Sequence, residues 1–254
     1  INGINDDART PLHIAIKNNL DAMLEVLIAH DVDLTVKLPD GRTPLFNAVA
    51  YNRPEMLAKI LPLAQSTINV TNEKRITPLI MACDKSVECA HVLLDHADGH
   101  FVNVELAERN GRTALEVAIY KSNTYLAERL LDLGASASSR TVSAAVRVDD
   151  TRVLRRLLQH PTPVNMNAEH DGFTPVMWAS MLGREECLRL LLAAPRTTAP
   201  IDLDLVKHKR GLVPATGDAH DASDTDDSDD EGGGINSAAH RLIRHLLDDS
   251  DSDD

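Results

Sequence analysis

Apolar positions along this chain come in short helical bursts, each opened by a threonine. "TPLHIAI" starts at Thr10, "TPLFNAV" at Thr43, "TPLIMAC" at Thr77, "TALEVAI" at Thr113 and "TPVMWAS" at Thr174. Each burst is about two turns long and places a small residue five positions after the Thr: Ala15, Ala48, Ala82, Ala118 and Ala179. A break follows at Asn18-Asn19, Asn52-Arg53, Lys121-Ser122 and Leu182-Gly183, and then a second apolar stripe such as "MLEVLI" (23–28), "LAERLLDLG" (126–134) or "CLRLLL" (187–192). Apolar residues three and four apart define one buried face of a helix. The pattern predicts two short helices joined by a turn, repeated along the chain.

The residues around each burst fit that frame. Thr accepts a hydrogen bond from a free backbone N–H at a helix start, and Pro beside it suits the first helical position, where no N–H is needed. Gly41, Gly111 and Gly172 stand two places before the Thr, where a tight hairpin tip requires positive φ. Gly134 suits the end of a second helix. The small residue lets a neighbouring copy approach closely. Intervals between the threonines are 33, 34, 36 and 61, and the last leaves room for one shortened copy.

A period near 33 headed by "TPLHxA" resembles the ankyrin repeat. The resemblance spans residues 4 to 203 and implies an all-α fold: an α-solenoid of stacked helix-turn-helix repeats with short β-hairpin or loop tips. Such a unit cannot bury its apolar face alone, so stability is roughly a sum over repeat interfaces. The expected organisation is six repeats over 1–203, the fifth (138–165) degenerate. "SSRTVSAAVRVDDTRVLRRLLQH" (138–160) lacks both the tip glycine and the "TPLH" word, and its Leu157-Leu158 align with Leu130-Leu131 only from a start near Arg140. It is expected to be a bend or weak point. Residues 204–216 read as the head of a partial seventh repeat, 217–234 as a disordered acidic insertion, 235–248 as a capping helix and 249–254 as an acidic tail.

Composition separates the two ends. The 254 residues carry 39 acids and 26 bases, a net charge of −13, with 43% hydrophobic but only 3% aromatic residues. Thirteen acids and two bases lie in 217–254, which leaves residues 1–216 nearly neutral with 26 acids against 24 bases. No apolar run approaches the roughly 18 residues of a membrane span, so no membrane insertion is expected. Three cysteines, Cys83, Cys89 and Cys187, form no disulfide framework and fit a reducing, intracellular setting, cytoplasmic or nuclear. A start at Ile1 rather than Met fits an excised piece of a longer chain.

Candidate chemistry is sparse. No phosphate loop, nucleophile elbow or zincin pattern occurs. Cys83, Cys89, His91, His96 and His100 do not match zinc-ligand spacings as a set, and no nucleophile or carboxylate accompanies His13. The expectation is no enzyme, no metal and no cofactor.

The resemblance implies instead a protein–protein interaction scaffold or adaptor that uses hairpin tips and first-helix surfaces. Transferred position by position, the candidate partner-binding residues are Arg9, Lys17, Arg42, Tyr51, Lys74, Lys85, Arg109, Arg112, Tyr120 and Lys121, with Phe173, Met181 and Leu182 as an apolar pocket at the far end. Eight bases stand there against Asp40, Glu73, Asp84 and Asp171, which predicts a basic groove for acidic or phosphorylated segments. Nucleic acid is not expected, and a monomer is. Ser223, Ser228 and Ser250, each with an acid three places on, are candidate sites for acid-directed kinases. Two rival readings are a recognition arm of a larger kinase, acyltransferase or ubiquitin-ligase component, and, as the resemblance implies, a substrate for asparagine hydroxylation at Asn69, Asn103 and Asn165.

Overall fold

The computed structural model describes residues 2–95, 102–194 and 198–202. The partial seventh repeat, the acidic insertion, the capping helix, the acidic tail and the three candidate phosphorylation sites lie outside the described residues. The chain divides into two compact units, 1–136 and 137–254.

The first unit holds four helical pairs: α1 (Pro11–Lys17) with α2 (Asp21–Ala29), α3 (Pro44–Ala50) with α4 (Pro54–Ile60), α5 (Pro78–Lys85) with α6 (Val87–Asp95), and α7 (Ala114–Tyr120) with α8 (Thr124–Asp132). First helices pack on first helices and second on second down the stack. Each first helix is set by its threonine, whose Oγ1 accepts the N–H three residues on, from His13 (3.4 Å), Phe46 (3.2 Å), Ile80 (3.1 Å) and Glu116 (3.5 Å). Ala15, Ala48, Ala82 and Ala118 are all buried, so the small side chain does sit where neighbouring helices meet. A residue at left-handed φ then turns the chain into the second helix: Asn19, Asn52 and Ser122. Asn and Ser accept that conformation more readily than branched residues.

In the third pair the second helix starts ten places after the cap Thr77, one fewer than in the other pairs of this unit. Ser86 takes that turn in extended conformation (φ −152°); its Oγ accepts the Cys89 N–H at 3.2 Å and donates to Asn52 Oδ1 of the preceding turn. The tips are turns rather than strands. Each closes on two backbone bonds: Leu38 N to Arg42 O and Gly41 N to Leu38 O (both 2.8 Å), Asn72 N to Ile76 O (3.0 Å) and Arg75 N to Asn72 O (2.9 Å), and Glu108 N to Arg112 O (3.0 Å) and Gly111 N to Glu108 O (2.8 Å). Among the described residues the only β pairing is two isolated bridges.

The second unit holds α9 (Ser139–Val148) with α10 (Thr151–Leu158) and α11 (Pro175–Met181) with α12 (Glu185–Leu192). The fifth repeat has no tip. Ser138 caps α9 two residues ahead of Arg140, through a capping box with Thr141, and α9 runs ten residues where the other first helices run seven or eight. Asp149 makes the turn at φ +61° as the C-cap of α9, and Asp150 caps the start of α10, accepting the Val153 N–H at 2.9 Å. Leu154, Leu157, Leu188 and Leu191 supply the core of this unit.

Candidate partner-binding surface

The tips of the first unit are tied together before any side chain acts. Glu73 N–H donates to Asp40 O and Arg109 N–H to Lys74 O, both at 3.1 Å, so the second, third and fourth tips form a continuous backbone-linked edge. The candidate cations divide on it into two groups. Arg9 meets Asp7 (3.1 Å), Arg42 meets Asp40 (2.6 Å), Lys121 meets Asp84 (2.9 Å) with Lys85 nearby (3.8 Å), and Arg112 pairs with the buried Glu108. Asp7 and Glu108 were not among the acids weighed in the sequence, so much of the expected basic excess is neutralised within the tips.

Lys17, Lys74 and Arg109 have no carboxylate partner among the described residues, and all three are exposed. Arg109 donates to the Glu73 carbonyl at 2.9 Å, which fixes its side chain across the neighbouring tip. Beside it stands Arg75, which sequence reasoning missed because it occupies the place of the tip glycines. Arg75 is exposed and held at φ +61°. A non-glycine residue in that region is uncommon and costs free energy. Lys74, Arg75 and Arg109 therefore form one open cationic group over the third and fourth tips. Tyr51 and Tyr120 are half-buried at the ends of α3 and α7.

The expected apolar pocket is not there as drawn. Phe173 is only 6% exposed, turned inward onto Trp178 with ring centroids 5.1 Å apart, while Met181 and Leu182 are half-buried. The sixth tip is organised instead around Trp178. Its Nε1 donates to His170 O (3.4 Å), the Arg147 guanidinium lies 4.5 Å from its ring centroid, and Arg147 also reaches Asp171 at 3.1 Å. Burial, and then nearby Arg140, lowers the His170 pKa.

Other groups are structural. His13 Nδ1 sits 2.8 Å from Thr10 Oγ1 and 3.3 Å from Thr10 N, completing a capping box, and burial with the Arg42 and Arg9 charges lowers its pKa to about 4. It is a neutral bracket of the helix start. Burial pushes the Cys83 and Cys187 thiols up to about 12 and raises Cys89 as well, so none is poised as a thiolate. Among the described residues no three His, Cys, Asp or Glu side chains converge as a metal site, and no helix is long and apolar enough to cross a membrane; His96 and His100 lie outside them. Asn69 Oδ1 accepts the Asn103 N–H at 2.8 Å. At the sixth repeat the matching role falls to Asn167, which accepts from Asp202 N at 2.8 Å, and not to Asn165.

Stacked capped helix pairs with hydrogen-bonded tips define a helical-repeat module. The chain belongs to the ankyrin repeat family: a model of three ankyrin repeat copies matches residues 1–73 and 57–141, and a single-repeat model matches 171–203. The stretch between those matches contains α10 and most of α9, the tipless pair. The chain is 28% identical to the B-cell lymphoma 3 protein homolog of Mus musculus over 203 residues, covering 74% of this chain and 44% of that protein. It is 32% identical to ankyrin repeat and SOCS box protein 11 of Homo sapiens over 139 residues, covering 54% and 41%. The solved ankyrin repeat domain of Bcl-3 superposes with a TM-score of 0.62 at 26% identity, covering 78% of this chain and 92% of that domain. The chain spans less than half the length of these curated relatives. Ankyrin repeats are in general protein-interaction modules rather than enzymes.

Proposed function

We propose that this chain is a non-catalytic, intracellular and monomeric adaptor whose tip surface on the first unit binds an acidic or phosphorylated segment of a partner protein. The observation that carries the reading is the open group Lys74, Arg75 and Arg109, without carboxylate partners among the described residues, on an edge where Arg42, Arg112 and Lys121 are paired. Arg guanidinium groups suit bidentate recognition of carboxylate or phosphate. Tyr51 and Tyr120 supply amphipathic contact area of the kind that anchors interfaces. The length of the relatives favours a second reading alongside it, in which this module is the recognition arm of a larger protein.

The test is fluorescence anisotropy with a labelled peptide of the chain's own acidic sequence, residues 217–234, with and without phosphate on Ser223 and Ser228. The intact chain is expected to bind both forms, the phosphorylated one more tightly, with affinity falling as salt rises. Charge reversal by Lys74→Glu with Arg109→Glu should weaken binding at least about tenfold, as expected for close charge pairs at an interface. Equal affinity for the reversed and parent chains, both folded by circular dichroism, would sink the proposal.

A further inference from the structure

The seven exposed large hydrophobics of the described residues are not scattered evenly. Leu20 (45%), Met23 (48%) and Val26 (55%) fall three apart on or just before α2, along one stripe of a single helix. The repeat frame says what that stripe is. Met23 stands thirteen places after its cap Thr10; the same place holds Met56, Leu126 and Cys187 and, with the shorter third turn, Cys89. All four of those are buried, Met56 at 2% exposure.

Their surroundings show which way this position faces. Cys89 Sγ lies 3.9 Å from Asn52 Oδ1 and Cys187 Sγ 3.4 Å from Asp149 Oδ1. Asn52 and Asp149 are the turn residues of the pair immediately before. The position ten after the threonine faces the same way: Arg53 reaches Lys17 O at 3.4 Å, and Arg184 reaches Asp149 at 3.1 Å. Leu20 holds that position in the first repeat. The opposite flank of α2 is already occupied, since Asp21 and Glu25 take Lys59 of α4 at 2.6 and 2.7 Å. At 100° per residue Met23 and Val26 lie roughly 100–160° round the helix from those acids. Pro11 on α1 agrees, being half-buried where Pro44, Pro78 and Ala114 are buried.

A stack ending in water presents a polar outer face on its terminal repeat. This one presents Leu, Met and Val in the register of an inter-repeat contact, and a contiguous exposed apolar patch marks an interaction site. We propose that this flank of α1 and α2 is a docking surface for one further ankyrin-type helical pair, which covers Leu20, Met23 and Val26 as α3–α4 covers the position of Cys89. The occupant follows from continuity with the interfaces already present in the stack. It is independent of what the tips bind.

The test grafts such a pair in phase. Residues 33–67 fused directly before Ile1 make Ile1-Asn2 follow the graft as Ile68-Asn69 follows the original. Native-state hydrogen exchange of α2 amides in the extended chain should slow by about tenfold or more relative to the parent, as a covered repeat loses its local opening. Met23→Lys should abolish that slowing in the extended chain and change α2 exchange in the parent by no more than about twofold, the usual scale for an exposed site. No slowing, or slowing that survives Met23→Lys, overturns the proposal. So does a concentration-dependent dimer of the parent chain that Met23→Lys dissolves, because the surface then belongs to a second copy.

Discussion

Replacing Arg147 by Met keeps an aliphatic stem against α11 and removes the charge, which isolates the contact that braces the sixth tip. The guanidinium sits 4.5 Å from the Trp178 centroid, with Arg147 28% and its partner Asp171 56% exposed at the side chain. A cation–π contact at such a site contributes about 0.5–1 kcal/mol. The ion pair to a half-exposed carboxylate adds between about 0 and 1 kcal/mol after solvent screening. Arg147→Met should therefore cost about 0.5–2 kcal/mol. With a urea m-value of about 1–3 kcal/mol/M, the midpoint falls by roughly 0.5 M. Trp178 is the chain's single tryptophan, so its fluorescence reports the second unit alone. Asp171→Asn is the matched control, because Asn tolerates the φ of +54° found there. It should cost no more than about 1 kcal/mol, a loss limited to the exposed ion pair. Arg147→Lys should fall between the two, since an ammonium keeps charge without the planar stack. An Arg147→Met midpoint no lower than that of Asp171→Asn would refute the stacking argument.

Other outcomes follow from single positions. Leu130→Ala, at a fully buried site, should cost about 2–5 kcal/mol by chemical denaturation followed with circular dichroism. Gly41→Ala should cost more than Gly172→Ala: both have φ above +80°, but only at Gly41 does a Cβ meet backbone, at 3.3 Å from Thr71 O and Asn72 Cα. Arg75→Gly relieves a left-handed φ and should raise stability by about 1 kcal/mol while weakening the acidic peptide; a loss on both measures defeats the strain reading. His13 holds no proton in the folded chain until about pH 4, whereas the unfolded chain takes one near 6.5. Its contribution is thus complete above about 6.5 and shrinks as the pH falls toward 4, by up to about 3 kcal/mol. His13→Gln should flatten that part of the pH–stability curve, and an unchanged slope counts against it.

The repeat frame was legible because its signals are local. A capping Thr, a Pro at the helix start and an Ala five residues on act within one or two turns, and each does in the structure what its position in the sequence implies. The fifth repeat's start was legible only to within two residues, since Ser138 rather than Arg140 caps α9. Charge balance on the tips was less readable. Whether Arg9 and Arg112 are free depends on Asp7 and Glu108, which lie two and four residues back and meet them only once the tip has closed. Phe173 reads as an exposed tip residue until Trp178 supplies a ring to pack against. Arg75 was hidden for the opposite reason: it fills a frame position so regularly glycine that its side chain went unweighed.

Met23 and Met56 carry this point to its limit. They are the same residue, at the same place in the same kind of helix, and a stripe such as "MLEVLI" reads as core in both settings. One is half exposed and the other buried. In a stacked repeat, burial is a property of the neighbour and not of the residue, because each pair contributes only half of every interface it forms. Periodicity therefore identifies a surface that is built to be covered and leaves open what covers it. The turn residues touching Cys89 and Cys187 resolve that for the interior positions, and they make the open flank of α2 an unfilled half-interface of known register rather than an ordinary solvent face.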